Sequence, residues 1–274
     1  MSRSPDAHLP VGLFDSGVGG LTVLDAMRRR MPEENFLYLG DTARLPYGTK
    51  SRETITRYAL QATGKLVERR IKLLVVACNT ATAAALPALV EHYPSIPVVG
   101  VIEPGARAAC HASPSGRIAV MATASTTRGG VYVRVILSHR PNAQVTSLAA
   151  PLLVPMAEEG WFEGPLVEGI IAKYLDPVFR GRGDDPDCLV LGCTHFPLLL
   201  KALRAVVGPA VSLVDSADTT AEEVLRRLDR DDLENTGGGA ITFLTTDDTA
   251  RFAATGSIFL GMPIDQSDVE LVNL

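Results

Sequence analysis

The sequence predicts an α/β protein of two similar open parallel-sheet domains, with an active site in the cleft between them. Three observations carry that prediction. Short apolar runs alternate with helix-like segments along the whole chain, as in successive βα units. One run, Leu73-Leu74-Val75-Val76-Ala77, stops at Cys78-Asn79-Thr80 and passes into an alanine-rich stretch ending near Leu86. That is the signature of a buried parallel strand, a tight turn and a helix. The same order returns at Cys188-Leu189-Val190-Leu191-Gly192, followed by Cys193-Thr194-His195 and a second presumed helix. Cys78 and Cys193 thus hold equivalent places at the carboxyl ends of two strands, the edge where open α/β sheets bind ligands.

Taken in order, Met1 to Pro10 is a short polar lead-in, and Val11 to Phe14 is a strand ending at Asp15-Ser16-Gly17-Val18-Gly19-Gly20. Ser16 and the glycines there suit capping and close backbone approach. A helix follows to about Met31, then a strand from Phe36 to Leu39 and a turn-rich loop, Gly40 to Gly48. The next helix starts near Ser51 and places Ile55, Tyr58, Ala59, Ala62, Leu66 and Val67 on one face. After the Cys78 unit, Ile96 to Ile102 reads as a strand, and Glu103-Pro104-Gly105 as a hinge.

Beyond the hinge, Arg117 to Thr123 and Gln144 to Leu148 read as strands. A helix from Gly164 to about Phe179 carries Leu166, Ile170, Tyr174 and Val178 inward, and a polar loop from Arg180 to Asp187 leads to the Cys193 strand. A strand from Val211 to Val214, a helix near 221–228, a glycine-rich loop at 237–239, a strand from Ile241 to Thr245 and a terminal helix complete the chain. If Val211 onward packs back on the first unit, the domains are 1–102 plus 210–274, carrying Asp15 and Cys78, and 103–209, carrying Cys193 and His195. The chain then crosses twice between domains.

Composition narrows the function. The chain has 274 residues, ample for two cores, and a formal charge of −5 that argues against nucleic acid or an anionic membrane as the main partner. No secretory leader opens it and no charge-free run is long enough to span a bilayer, so a cytoplasmic protein is expected. Its four cysteines form no C-x-x-C pair and read as reduced thiols.

Cys110 and Cys188 read as small core hydrophobes. Cys78 and Cys193 differ because each ends a strand before a presumed helix N-terminus, where a thiolate is stabilised. Asp15 ends the first strand and projects toward the same edge as Cys78. Cys193 and His195 do not complete a zinc set, since the other histidines are scattered, so His195 reads as a proton partner for Cys193 or for a substrate amine, and no metal is expected. The 15–20 turn lacks the ending of a phosphate-binding P-loop, and Gly17 stands where an aspartyl-phosphate enzyme would carry its second acid. Two equivalent thiols fit removal of a proton from one face of a carbon and its return on the other. A single-thiol hydrolase or amidotransferase using His195 remains the alternative of another class.

Four ordered motifs, Val11 to Leu24, Gly40-Asp41-Thr42-Ala43-Arg44-Leu45-Pro46-Tyr47-Gly48, Ala77-Cys78-Asn79-Thr80-Ala81 and Leu191-Gly192-Cys193-Thr194-His195-Phe196-Pro197-Leu198, closely resemble those of the glutamate racemases of the aspartate/glutamate racemase family. His195 stands where the related aspartate racemases usually carry an acid, which favours glutamate over aspartate. Gly129 departs from the family, which more often has serine there.

The resemblance implies a cofactor-independent racemisation of glutamate, supplying D-glutamate for peptidoglycan. In it Cys78 deprotonates the D-enantiomer and Cys193 the L-enantiomer, Asp15 and His195 assist, and Glu158 is a further acid near His195. It also implies that Ser16, Tyr47, Gly48, Asn79, Thr80, Thr123, Thr126 and Thr194, with Asp15 and His195, bind substrate. Dimers are common in the family and some members inhibit DNA gyrase. Nothing in this sequence marks a surface for the latter.

Overall fold

The computed structural model describes residues 4–181 and 183–274. Met1, Ser2 and Arg3 of the lead-in and Arg182 of the polar loop lie outside the described residues. The chain divides into two compact units, Met1–Val101 with Ala217–Leu274, and Ile102–Ser216.

The first unit runs β1 (Val11–Asp15), α1 (Leu21–Arg30), β2 (Phe36–Gly40), α2 (Arg52–Glu68), β3 (Leu73–Val76), α3 (Asn79–His92) and β4 (Val98–Gly100). The second contains α4 (Ile102–Ala112), β5 (Arg117–Ala122), α5 (Ala124–Gly129), α6 (Val131–His139), β6 (Gln144–Ala149), α7 (Leu153–Glu158), α8 (Pro165–Leu175), β7 (Cys188–Gly192), α9 (Leu200–Val207) and β8 (Ser212–Asp215). The chain then returns to the first unit through α10 (Ser216–Arg230), β9 (Ile241–Thr245), α11 (Thr249–Leu260) and β10 (Val269–Leu271).

Both sheets are parallel. The first has the order β10-β9-β2-β1-β3-β4 and the second β6-β5-β7-β8. Every residue of β1, β2 and β3 is buried, as the unbroken apolar runs require of strands covered on both faces. In each unit the first strand is flanked by the second on one side and the third on the other. That reversal makes a switch point, between β1 and β3 in one unit and between β5 and β7 in the other, beyond whose carboxyl ends ligands bind. Asp15 and Cys78 stand at the first such edge, Thr123 and Cys193 at the second.

Local chemistry explains the helices that cover these sheets. Ser51 caps α2 by accepting the Thr54 N–H at 3.3 Å, and Ile55, Ala59, Ala62 and Leu66 then recur at helical spacing as its buried stripe. That stripe packs with Phe14, Leu37, Leu74 and Val76 of the strands. In the second unit Met121, Leu189, Leu191 and Phe196 form the corresponding core with Val167, Ile171 and Leu175 of α8.

Several elements differ from the sequence expectation. Glu103-Pro104-Gly105 is not a break in the chain but part of α4, whose first turn tolerates Pro104 because that N–H has no intrahelical partner to lose, and the boundary between the two units falls just before it, between Val101 and Ile102. The preceding strand accordingly ends at Gly100 rather than Ile102. On α8 the buried residues are Val167, Ile171 and Leu175, one position on from the expected Leu166 stripe, and Leu166 is exposed. Both stripes are apolar at i, i+4 spacing, so periodicity alone does not choose between them. The helix also stops at Leu175 because Pro177, two residues on, brings no N–H to continue the ladder. Ser212–Asp215 pairs with β7, so the segment from Val211 belongs to the second unit and the return to the first begins after Ser216. The short edge strand β10 was not expected at all.

Candidate active site

At the first switch point Cys78 is the N-cap of α3, a helix of 14 residues, and its sulfur accepts the Ala81 N–H at 3.4 Å. The free N–H groups of a helix start carry partial positive charge, an environment that favours a thiolate over a thiol. The Ser16 hydroxyl lies 3.4 Å from the same sulfur. Ser16 therefore does not cap α1, whose N-cap is Gly20. Asn79 and Thr80, in the first turn of α3, are buried beside Cys78 in the chain.

Asp15 is 1% exposed and its Oδ2 accepts the Gly17 N–H at 2.9 Å. Gly20 is what allows the start of α1 to lie so close. A Cβ there would meet Asp15 Cβ at 2.7 Å and Ala77 Cβ at 2.9 Å. The Tyr38 hydroxyl, reaching from β2, lies 3.0 Å from the Gly17 carbonyl and 3.4 Å from Asp15 Oδ2. Burial, and after it the charge of Asp15, hold the Tyr38 phenol well above the ordinary tyrosine range, so it remains a proton donor.

The Gly40 to Gly48 loop is organised by Asp41, which is completely buried. Its carboxylate accepts from the Tyr47 hydroxyl, from Arg44 Nε at 2.7 Å and from the Thr246 hydroxyl at 3.0 Å. The Arg44 guanidinium lies 4.2 Å from the centre of the Tyr58 ring, a cation–π contact that closes the outside of the loop. Tyr47 thus directs its hydroxyl to Asp41, and burial followed by the Asp41 charge raises its phenol far above the ordinary range. Gly48 follows it in the short turn Tyr47–Thr49.

The second switch point surrounds its cysteine differently. Cys193 is followed by a single 3-10 turn, Phe196–Leu199, and α9 begins only at Leu200. The expected helix N-terminus at Cys193 is absent because Pro197 brings no N–H to extend the turn. In its place His195 stands between two partners: Nδ1 lies 3.7 Å from Cys193 Sγ and Nε2 lies 3.1 Å from Glu158 Oε1. Burial alone would lower the histidine, but the hydrogen bonds and charges of Cys193 and Glu158 outweigh it and push the ring up to about 10. An imidazolium is therefore held between a sulfur and a carboxylate. Thr123, at the end of β5, caps α5 by accepting the Thr126 N–H at 3.3 Å, with the two hydroxyls 3.0 Å apart. Thr126 and Thr194 are both buried.

Two tyrosines near the thiols escaped the sequence reading. Tyr38 and Tyr132 are both buried, and Cys78 and Cys193 respectively are among the charges that raise their phenols, after burial itself. In sequence each looks like a core aromatic. The only available signal was register: Tyr38 sits two residues before the end of β2, and in the parallel ladder Gly40 pairs Asp15. Among the described residues no group of three or more His, Cys, Asp and Glu side chains is placed to hold a metal ion.

The chain is similar to known proteins over nearly its whole length. A family model described as Asp/Glu/Hydantoin racemase matches residues 21–224. The glutamate racemase of Geobacter metallireducens is 47% identical over 253 residues, covering 92% of this chain and 92% of that protein. A crystal structure of glutamate racemase from Francisella tularensis in complex with D-glutamate is 32% identical and superposes with a TM-score of 0.90, covering 97% of this chain and 98% of that one. The Thermus thermophilus glutamate racemase, in complex with β-chloro-D-alanine, is 42% identical with a TM-score of 0.88 and 98% of each chain covered. With its two parallel sheets, a thiol at each switch point and this extent of similarity, the chain belongs to the Asp/Glu/Hydantoin racemase family.

Proposed function

We propose that this protein is a glutamate racemase, an isomerase that interconverts L- and D-glutamate with Cys78 and Cys193 as its two acid–base groups. The observation that carries the reading is the pairing of two thiols at equivalent switch points, one at the start of a long helix and the other beside a buried histidine. A hydrolase would need one.

In each turnover one cysteine enters as thiolate and the other as thiol. The thiolate takes the Cα proton, the electron pair of the broken C–H bond is delocalised into the α-carboxylate, and the opposite thiol returns a proton to the other face. The protein ends with the two protonation states exchanged, which readies it for the reverse enantiomer. In the direction that begins with Cys193, the His195 ring, itself paired with Glu158, faces the thiolate, and in the other the start of α3 and the Ser16 hydroxyl face it, with Asp15 assigned to proton handling. A Cα proton beside a carboxylate is a very weak acid, so fixed donors for the developing charge must supply much of the barrier reduction. Ser16, Tyr47, Gly48, Asn79, Thr80, Thr123, Thr126 and Thr194 are the groups assigned to hold the two carboxylates. The source of D-glutamate for peptidoglycan precursors is the corresponding cellular role, in the cytoplasm. Among the described residues no helix is long and apolar enough to cross a membrane.

The deciding experiment is incubation with L-glutamate in D2O, with chelator and without pyridoxal phosphate. Optical activity and Cα proton loss are followed together by NMR. Racemisation with deuterium entering Cα is expected. Turnover of aspartate in place of glutamate would move the substrate assignment. A covalent adduct on Cys193 without deuterium uptake would favour the single-thiol hydrolase, for which the Cys193–His195–Glu158 chain is also a suitable arrangement.

A further inference from the structure

Tyr38 has no role in the reaction as proposed above, yet its hydroxyl is placed where it governs one of the reacting groups. It lies on β2, is completely buried, and packs its ring against Phe252 of α11 with centroids 6.0 Å apart. That packing fixes the ring and leaves the hydroxyl one place to go. It meets the Gly17 carbonyl at 3.0 Å and Asp15 Oδ2 at 3.4 Å. A phenol has one proton to donate, shared here between both ends of the Asp15-Ser16-Gly17 turn. The residue between those ends, Ser16, is the one whose hydroxyl lies 3.4 Å from Cys78 Sγ.

We propose that Tyr38 is a positioning residue for the Cys78 half-reaction, fastening the Asp15-Ser16-Gly17 turn so that the Asp15 carboxylate and the Ser16 hydroxyl stay set against the thiol. The inference rests on the racemase reading and deepens it. The Asp15 backbone is fixed in β1, where its carbonyl accepts the Asp41 N–H at 3.0 Å, whereas its carboxylate accepts the Gly17 N–H, a bond within the turn that moves with the turn. The Tyr38 hydroxyl ties that carboxylate and the Gly17 carbonyl beyond it to the neighbouring strand β2. Tyr38→Phe removes that tie while keeping the ring and its packing on Phe252.

The test uses the full chain as wild type, Tyr38→Phe, Asp15→Asn and the double variant, with Phe252→Leu as a packing control. Glutamate racemisation is measured together with alkylation of Cys78 and Cys193 by iodoacetamide, resolved peptide by peptide by mass spectrometry. Tyr38→Phe is expected to lower kcat on the order of tenfold, the scale of one hydrogen bond to a charged group, with KM changed by less than about twofold. The alkylation rate of Cys78 should shift while that of Cys193 stays at the wild-type value. In the Asp15→Asn background the Tyr38 substitution should cost little more, because two residues acting through one turn are not additive. Phe252→Leu should lower the melting temperature without a shift confined to Cys78.

Wild-type kcat in Tyr38→Phe would overturn the proposal. So would fully multiplicative losses in the double variant, or Cys78 and Cys193 labelling that rise together with a falling melting temperature, which is loosening rather than positioning. An Asp15→Asn variant with wild-type turnover would instead overturn the premise that Asp15 serves the reaction. The labelling needs no turnover and separates that failure from a failure of Tyr38 to hold the turn.

Discussion

The Nε2 atom of His195 lies 3.1 Å from Oε1 of Glu158, and through that contact a carboxylate on α7 adds to Cys193 in holding a proton on the ring. Burial favours the neutral ring, but the hydrogen bonds and charges of Cys193 and Glu158 outweigh it and the histidine is raised to about 10. Its folded value thus exceeds the unfolded one of about 6.5. The stability it contributes is therefore fully present below about 6.5 and is lost as pH rises through about 10. His195→Asn removes that contribution, so the difference in melting temperature between wild type and variant should narrow from pH 7 to pH 10. A gap of constant size across that range would show that the ring is not held protonated. At neutral pH the same variant should lose on the order of a hundredfold in kcat, with a smaller change in KM.

The contrast between the two thiols predicts different sensitivities. Cys78 is served by the start of a long α-helix, Cys193 by a histidine. Cys78→Ser and Cys193→Ser should each lower racemisation by at least about a hundredfold in both directions, since a serine hydroxyl is too weakly acidic to replace a thiol as base. Binding of glutamate, followed by calorimetry, should survive in both. Loss of binding with a normal rate on the bound fraction would remove the cysteine concerned from the chemistry.

Outside the site, Lys72 is a buried hub of the first unit. Its side chain is completely buried and Nζ contacts Glu34 Oε1 at 2.6 Å, the Ala7 carbonyl at 2.7 Å and the Leu233 carbonyl at 2.8 Å. Burial lowers its pKa, against the hydrogen bond and charge of Glu34. The ammonium joins the lead-in, the α1–β2 turn and the loop after α10, three segments distant in sequence. Lys72→Met leaves Glu34 buried without its counter-charge and should destabilise the protein by about 3–5 kcal/mol. Urea unfolding measures this, and adding Glu34→Gln should restore part of the loss. A Lys72→Met variant within about 0.5 kcal/mol of wild type would contradict the buried-pair account.

The parallel strands and the thiols at their ends were legible because burial on both faces forces an unbroken apolar run, and a run that stops at Cys78 or Cys193 declares its own edge. His195 and Glu158 were named for roles near Cys193, and the structure brings those three side chains into one chain of contacts. What the sequence did not disclose depends on tertiary neighbours. Pro104 reads as a breaker in one dimension, yet sits in a helical turn that needs no N–H from it. Leu166 and Val167 are equally apolar, and only the sheet they cover decides which is buried. Tyr38 looks like core until the parallel register places its hydroxyl beside Asp15.

Two glycines test how tightly the site edges are packed. Gly20 has φ −63° and ψ −10°, a backbone any residue adopts, so the only objection to a side chain there is space. A Cβ would press on Asp15 Cβ at 2.7 Å and on Ala77 Cβ at 2.9 Å, one residue before Cys78. Gly20→Ala should therefore cost about 1–3 kcal/mol by overpacking, and should lower kcat as well because the displaced atom belongs to Asp15. Gly129, where the family more often has serine, is the opposite case. It is exposed near the end of α5 and a Cβ would meet nothing within 4 Å. Gly129→Ser should leave kcat and KM at wild-type values and change stability by no more than about 0.5 kcal/mol, with helix propensity favouring the serine. Thermal melting and racemisation assays on the two variants check both halves. A Gly129→Ser defect as large as that of Gly20→Ala would mean that residue 129 makes a contact in the working enzyme.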